Sequence, residues 1–253
     1  MQRLFLLYHE LRPEKAAYSY VVECAEFNRH LQLFVELQDH VPEVLQPSIT
    51  FDDGHVSNYD YALPMLEAAE LKAHFFITVG WTANKPGYMN WTQLAALQAA
   101  GNTVGAHGWT HSLLTHCSDS ELDRELRGAR HALEDKLGSP VTTMSLPGGR
   151  FNDRVLRACE AAGYLTVFTS VPRAEPAASH SLTLGRLNIR GDMTSASIRT
   201  FLEPRNPALR KLGRQYRLKQ SAQSVLGDDL YARLWSILNR QEASSQQDRD
   251  AVE

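Results

Sequence analysis

Short apolar runs alternate with longer segments of helical spacing along most of this chain, and this alternation restricts its possible folds more than any other feature. Seven runs are predicted to be β-strands: residues 4–8, 48–51, 74–79, 103–106, 142–146, 165–168 and 184–189. Several of the segments between them end on a glycine, as helices often do, at Gly101, Gly138 and Gly163. Strands that alternate with helices form parallel sheets. We therefore expect an α/β fold, a closed or nearly closed (β/α) barrel.

Length, charge and cysteine content narrow the class of protein. The 253 residues suit one barrel or two small domains, and the net charge of −3 lacks the basic footprint of a nucleic-acid-binding protein. The three cysteines are odd in number and widely spaced, which argues against a disulfide framework and favours a reducing compartment. No apolar run has the length of a signal-peptide core or a membrane span. We therefore expect a cytoplasmic protein.

The C-terminal part of the chain differs in composition from the rest. We expect residues 1–203 to form the barrel and residues 204–253 to form a separate helical segment. Residues 205–219 include six basic side chains and no acidic one, and residues 230–241 have apolar residues at helical spacing. A solvated helix face packed on the barrel is one interpretation, and a peripheral membrane or protein contact is the other. Residues 242–253 are predicted to be disordered.

Polar residues recur where the predicted strands end. The residues that follow strand ends are His9, Asp52 and Asp53, His107 and His111, and Pro147 and Gly148. An Asp-Asp-Gly sequence is ordinary turn chemistry when taken alone. In a parallel barrel, however, catalytic residues gather at the carboxyl ends of the strands. The recurrence at one rim therefore favours a metal or acid–base site over a solvated turn.

The spacing of two histidines suggests a metal site. His107 and His111 are four residues apart, so that on one helical turn both imidazoles can reach one ion, although such pairs also arise by chance. Zinc binds imidazole nitrogen and carboxylate oxygen, and a catalytic zinc site keeps three protein ligands and an open position for water. Asp53 would supply the third ligand, which leaves Asp52 as a base.

Three segments in order, TFDDG, HGWTH and LPGG, resemble the motifs of the polysaccharide deacetylase family, the family 4 carbohydrate esterases with the nodulation-type deacetylase domain. The segments AHFFITVG and EAAGYLTVFTS add to this resemblance, which covers roughly residues 4–189. The resemblance implies a distorted (β/α) barrel with seven or eight strands. It also implies metal-dependent hydrolysis of an N-acetyl group, usually on an amino sugar.

The same resemblance assigns roles to the motif residues. It implies that the ligands of a divalent metal, with zinc expected, are Asp53, His107 and His111. Asp52 resembles the general base that takes the proton of the attacking water. The metal would polarise the acetyl carbonyl and activate that water. The backbone N–H of Gly148, which follows Pro147, would help to hold the oxyanion.

Two positions depart from the family pattern. Ser145 stands where the family commonly has an arginine that pairs with the base, and Arg150 could serve a similar role. The strand LTLGRLNIRG contains Arg186 but lacks the histidine that the family uses as general acid. His9 is the first candidate to replace that acid, and His180 is the second.

The predicted function is hydrolytic removal of an N-acetyl or other N-acyl group from an amino sugar or glycan. Substrate contacts are expected from Trp109, Pro147, Arg150 and Arg186. Trp109 lies between the two histidines and could stack on a sugar ring. Two alternatives remain open at this point: a cytoplasmic deacylase of a lipid- or nucleotide-linked sugar precursor, and a degenerate member that binds glycan without turnover.

Overall fold

The computed structural model describes residues 2–38, 44–178, 181–204 and 206–226, and it describes residues 219–226 by their backbone alone. The strands in chain order are β1 Gln2–Tyr8, β2 Glu10–Arg12, β3 Val21–Glu23, β4 Gln46–Phe51, β5 Ala73–Ile77, β6 Thr103–Ala106, β7 Thr143–Ser145, β8 Thr166–Phe168, β9 Glu175–Pro176, β10 Thr183–Leu184 and β11 Arg186–Asn188. Strands β2 and β3 pair with each other, and the remaining strands form one sheet.

The large sheet curves into a nearly closed barrel. Its strand order is β10-β8-β7-β6-β5-β4-β1-β11, with parallel pairing along that path, and β9 adds to β1 in the antiparallel direction. Strands β10 and β11 are two halves of one segment that is interrupted at Gly185, and they pair with opposite ends of the sheet. A side chain at Gly185 would collide with the carbonyl oxygen of Val171. The predicted barrel of seven or eight strands is confirmed.

The helices cover the outside of the barrel. They are α1 Cys24–Leu37, α2 Leu63–Ala68, α3 Trp91–Ala99, α4 Asp119–Asp123, α5 Ala129–Leu137, α6 Asp153–Ala161, α7 Ser195–Leu202 and α8 Pro207–Leu226. A π-helical segment, Arg124–Gly128, joins α4 to α5. Ser118 and Glu121 form a capping box at the start of α4, and Gly138 ends α5 with a φ of 67°. Both signals are readable in the sequence.

The inside of the barrel changes character from one end to the other. Phe5, Phe76 and Phe168 form an apolar cluster inside it, and each is at most 5% exposed. Side chains alternate between the two faces of a strand, so every second residue points inward. The Arg186 guanidinium lies beside Phe76 and Phe168, and it bonds to the polar side chains of Asp52 and Ser145. These polar side chains belong to the candidate site.

The C-terminal helix packs on the barrel at the positions that are described. Leu209 is buried, Gly213 faces the carbonyl oxygen of Pro172, and the Tyr216 hydroxyl donates to the carbonyl of Gly149 at 3.4 Å. The division into residues 1–203 and 204–253 stays a prediction. The helix predicted over residues 230–241 and the disorder predicted for residues 242–253 lie outside the described residues.

The basic character predicted for this segment is visible on α8. Arg210, Arg214 and Arg217 are exposed and recur at helical spacing. A peripheral membrane or protein contact through them stays a prediction. Within the described part of the chain, no helix combines the length and the apolar character needed to cross a membrane.

Candidate metal centre and active site

Three side chains from two strand ends converge at the carboxyl rim of the barrel. Asp53 follows β4, and His107 and His111 lie in the loop that follows β6. Their ligand atoms all lie within 4.8 Å of one another. Oδ1 of Asp53 is 3.4 Å from Nε2 of His107 and 3.4 Å from Nε2 of His111. One carboxylate oxygen and two imidazole nitrogens therefore face a common point.

This arrangement fits a divalent cation. Oδ1 of Asp53 is buried and has no hydrogen-bond partner among the described residues. An unsatisfied buried carboxylate oxygen is costly unless something binds it. Burial opposes ionisation of Asp53, but the neighbouring imidazoles of His107 and His111 outweigh burial and hold its pKa well below the ordinary value. Nitrogen and oxygen ligands in this number suit zinc with one open position.

The backbone at two of the ligands is in an unusual conformation. Asp53 has a φ of 73° and His111 a φ of 66°, the left-handed region that residues other than glycine seldom adopt. Such conformations persist when the surrounding structure enforces them, and they cluster at functional sites. Here the left-handed turns occur at two of the three side chains that face the common point.

The ring of His107 is fixed by its other nitrogen. Nδ1 of His107 donates to the carbonyl oxygen of Ser145 at 2.8 Å, so Nε2 faces Asp53. A backbone carbonyl on the far nitrogen is the usual way in which proteins orient a metal-binding histidine. Burial lowers the pKa of His107, but the carboxylates of Asp52 and Asp53 outweigh burial and raise it. The raised pKa favours a proton on His107 between the imidazole and the carboxylates, and a metal cation would take the place of that proton.

Asp52 is held in a dense polar network beside the three ligand side chains. It is 2% exposed, and the Arg186 guanidinium donates one hydrogen bond to each of its oxygens, at 2.7 and 2.8 Å. The Ser145 hydroxyl donates to Oδ2 at 2.8 Å, and the same Oδ2 lies 3.8 Å from Nε2 of His107. Burial raises the pKa of Asp52, but the Arg186 charge outweighs burial and leaves it below the ordinary value. Asp52 is therefore an ionised carboxylate next to the candidate metal position.

Arg186 does not fit the substrate-contacting role that the sequence analysis gave it. Its side chain is fully buried, its guanidinium lies 5.5 Å from the ring centre of Phe76 and 5.8 Å from that of Phe168, and Nε donates to the carbonyl of Thr169. The arginine that pairs with Asp52 is thus Arg186 on β11, not Arg150. Its position on a barrel strand indicates that it needs a buried partner, but not which residue that partner is.

His9 reaches the same rim from the end of β1. Its Nδ1 is buried without a hydrogen-bond partner in the described part of the chain, and its ring centre lies 5.1 Å from that of Tyr20. Burial lowers the pKa of His9, while the charges of Asp53 and Asp52 oppose that shift. His9 is therefore within electrostatic reach of the candidate centre. His180, the second candidate acid, lies outside the described residues.

Trp109 is not an open platform. It is half-buried, the Arg124 guanidinium lies 5.5 Å from its ring centre, and Gly128 lies beneath the ring. Trp81, whose ring stacks on His111 with centres 5.1 Å apart, is the aromatic side chain next to the ligand set. No local sequence signal favours Trp81, because the stacking joins two separate loops.

The third motif forms a tight turn at the rim. Pro147 is buried, and Gly148 is exposed with a φ of 63°. A side chain at Gly148 would come within 2.7 Å of Leu113, so glycine keeps this approach open. Arg150 follows the turn and is half-buried. The roles assigned to Pro147, Gly148 and Arg150 stay predictions.

Comparisons with known proteins agree with the motifs. The family model described as polysaccharide deacetylase matches residues 46–167. The Bacillus subtilis protein named "Putative polysaccharide deacetylase YxkH" is 25% identical over 166 residues, 66% of this chain and 59% of that protein. The peptidoglycan-N-acetylglucosamine deacetylase of Bacillus cereus is 28% identical over 124 residues, 49% of this chain and 55% of that protein. The chain thus spans less than two thirds of the length of either relative.

Solved structures show the same fold. The Streptococcus pyogenes deacetylase PplD in complex with acetate has a TM-score of 0.73 at 21% identity, and the match covers 81% of this chain and 99% of that one. IcaB from Ammonifex degensii has a TM-score of 0.65 at 20% identity, and the match covers 79% of this chain and 96% of IcaB. At these identities the likeness shows the fold alone.

Proposed function

We propose that this chain, which belongs to the polysaccharide deacetylase family, is a metal-dependent hydrolase that removes an N-acetyl or other N-acyl group from an amino sugar or glycan. The observation that carries the proposal is the convergence of Asp53, His107 and His111 on one point beside the ionised carboxylate of Asp52. A ligand set with an adjacent base is the minimum that metal-assisted amide hydrolysis requires.

The metal site would bind a divalent ion, for which we propose zinc, through Asp53, His107 and His111. Such an ion supplies Lewis-acid chemistry: it polarises the acyl carbonyl and lowers the pKa of a coordinated water. Asp52 would accept the proton of a water that attacks the acyl carbonyl carbon. The N–H of Gly148 donates to the oxygen on which negative charge develops.

The network around Asp52 sets the strength of the base. The Arg186 pair and the Ser145 hydroxyl keep Asp52 ionised and fix the direction of its oxygens. Because the pKa of Asp52 is lowered, the carboxylate alone is too weak a base for ordinary water. It suits a water that a bound cation has already made acidic. The weak base and the metal site therefore depend on each other.

A glycan substrate is supported by the relatives. The Bacillus cereus relative is named a peptidoglycan-N-acetylglucosamine deacetylase. A cavity of about 490 Å³ is lined by Thr110 and Ser112, the chain neighbours of His111, and its mixed lining also includes Leu113 and Arg124. Hydroxyl and charged groups of this kind suit the hydroxyls of a sugar. The complete ligand set and the paired Asp52 argue against a degenerate binder without turnover.

Release of acetate from a panel of N-acetylated amino sugars and oligosaccharides tests the function. The panel should include lipid-linked and nucleotide-linked amino sugars, and each substrate should be tested with zinc and after chelation. We expect zinc-dependent release from at least one substrate. Binding of a glycan without release at any zinc concentration would instead support the degenerate alternative.

Metal content is the first prediction for the site. Asp53→Ala and His111→Ala each remove one of three ligands, so purified variants should hold far less zinc than the wild-type protein. Elemental analysis after dialysis measures this. His116→Ala, an exposed histidine in the same loop, is the matched control and should keep wild-type zinc. Equal zinc in all four proteins would contradict the assigned ligands.

The leaving amine needs a proton, and we predict that His9 donates it. His9→Gln should lower kcat by about 10²-fold, the lower end of what a positioned acid or base contributes. Because burial lowers the pKa of His9, its basic limb in the wild-type pH–rate profile should begin below the ordinary value of about 6.5, and His9→Gln should lose that limb. His131→Gln, an exposed histidine far along the chain, serves as the control. If His9→Gln changes neither the rate nor the profile, then another group or water protonates the amine.

A further inference from the structure

The loop that carries both histidine ligands is clamped by one buried carboxylate. Glu125 is 4% exposed, and its Oε2 accepts the N–H groups of Trp109 at 2.7 Å and Thr110 at 3.0 Å. Its Oε1 accepts the Thr110 hydroxyl at 2.6 Å. Both residues that donate to Glu125 lie between His107 and His111. The clamp therefore acts on the three-residue connection between the two ligands.

Gly108 completes the clamp by leaving room for it. Its φ is 81°, and a Cβ at this position would lie 2.7 Å from Oε2 of Glu125. The missing side chain lets the carboxylate approach the backbone closely enough to receive two successive N–H groups. Successive N–H groups in a tight turn form a concave site for an anionic oxygen. Gly108 and Glu125 are thus complementary parts of one local structure.

The helix that presents Glu125 is locally widened. Glu125 belongs to the π-helical segment Arg124–Gly128 between α4 and α5. Single π-helical turns of this kind occur often at functional sites. The neighbouring carboxylate Asp123 points to solvent with a 59% exposed side chain. The two acidic residues therefore differ in surroundings while they lie on the same stretch of helix.

We propose that Glu125 is a positioning residue that sets the metal affinity of the site by holding the His107–His111 loop in its binding geometry. The inference rests on the proposed metal site. Without the carboxylate, the N–H groups of Trp109 and Thr110 lose their partner, and the loop must rearrange to satisfy them. The rearrangement would move one histidine relative to the other. Outer residues that orient metal ligands are typically worth about 10–100-fold in metal affinity.

The test compares Glu125→Gln with Asp123→Asn. Each variant removes one negative charge, but only the first weakens the clamp, because an amide nitrogen in place of one carboxylate oxygen cannot accept from Trp109 or Thr110. Glutamine keeps the size of glutamate and one acceptor oxygen, so the fold should persist. Zinc affinity is measured by competition with a chelator of known affinity, and the fold of the zinc-free protein is followed by circular dichroism and thermal unfolding. We expect zinc affinity to fall about 10–100-fold in Glu125→Gln and to stay unchanged in Asp123→Asn.

A second variant and a rescue keep the result interpretable. Thr110→Val removes the hydroxyl that donates to Glu125 and leaves the carboxylate and both backbone N–H groups in place. We expect a smaller fall in zinc affinity in this variant, and it can be measured even if Glu125→Gln folds poorly. Excess zinc should restore kcat in Glu125→Gln, because Asp52 and the ligands are unchanged. If wild-type protein binds no zinc, the proposed function fails. If wild-type protein binds zinc and Glu125→Gln binds it equally well, whatever its thermal stability, the role of Glu125 is overturned.

Discussion

Asp52→Asn is expected to reduce kcat by about 10²–10⁴-fold while the protein keeps its bound zinc. Asparagine has nearly the same shape as aspartate, and its one oxygen can still accept from Ser145 and from one nitrogen of Arg186. Its amide nitrogen cannot accept the other Arg186 bond, and the side chain cannot take a proton from water. The ligand set does not include Asp52, so zinc content should not fall. The measurement is kcat on a substrate from the acetate-release panel, with zinc content determined on the same samples.

The contrast with the ligand variants makes this prediction specific. Asp53→Ala should lose both zinc and activity, whereas Asp52→Asn should lose activity alone. Two adjacent carboxylates would then have separate functions that follow from their partners: two imidazoles for Asp53 and a guanidinium for Asp52. Near-full activity in Asp52→Asn would falsify the assignment of Asp52 as the base.

The parts of the site that could be predicted from the sequence are local in the chain. Asp52 and Asp53 are neighbours, and the spacing of His107 and His111 indicated a metal-binding pair. The helical turn expected between the two histidines was wrong, because residues 107–111 form a loop in which Gly108 and His111 have positive φ. Both segments follow apolar runs that could only be strands, so their meeting at one rim followed from the parallel topology. The barrel was predictable for the same reason, because each strand and helix has its own periodic pattern.

The parts that could not be predicted depend on distant partners. Arg186 bonds to Asp52 across 134 residues, and nothing near either residue in the sequence indicates the pair. Arg150 was proposed instead because it is close to the third motif in sequence. Trp109 was assigned to sugar stacking from its position between two histidines, but Arg124 from the following helical segment lies over its ring. Such contacts depend on how elements pack.

The second large effect is expected from Arg186→Met, which should destabilise the protein by about 3–5 kcal/mol. Methionine fills much of the same space between Phe76 and Phe168, so packing changes little. The loss comes from Asp52, which would remain buried with the His107 imidazole, 3.8 Å away, but without the guanidinium that bonds to both of its oxygens. Thermal and urea unfolding of the zinc-free protein measure the change. Arg186→Lys should lose less, since it keeps the charge but not the two-pronged geometry.

The pH dependence separates this cause from a loss of packing. With Arg186 present, the pKa of Asp52 is lower in the folded protein than in the unfolded chain, so the pair stabilises above the unfolded pKa, about 3.9. That stability is lost as the pH falls through the folded value. In Arg186→Met, burial should raise the folded pKa of Asp52, with only His107 and His9 left to oppose it. The difference in stability between the two proteins should therefore shrink as the pH falls, whereas a packing defect would be independent of pH.

A double variant provides the decisive comparison. Adding Asp52→Asn to Arg186→Met removes the unbalanced charge, so the double variant should be more stable than Arg186→Met alone, even though it carries one more substitution. Both variants lack the salt bridge, and only the single variant keeps a buried carboxylate. If the two substitutions instead destabilise additively, then Arg186 contributes through its contacts with Phe76, Phe168 and Thr169. In that case the arginine would support the barrel interior and not the charge of the base.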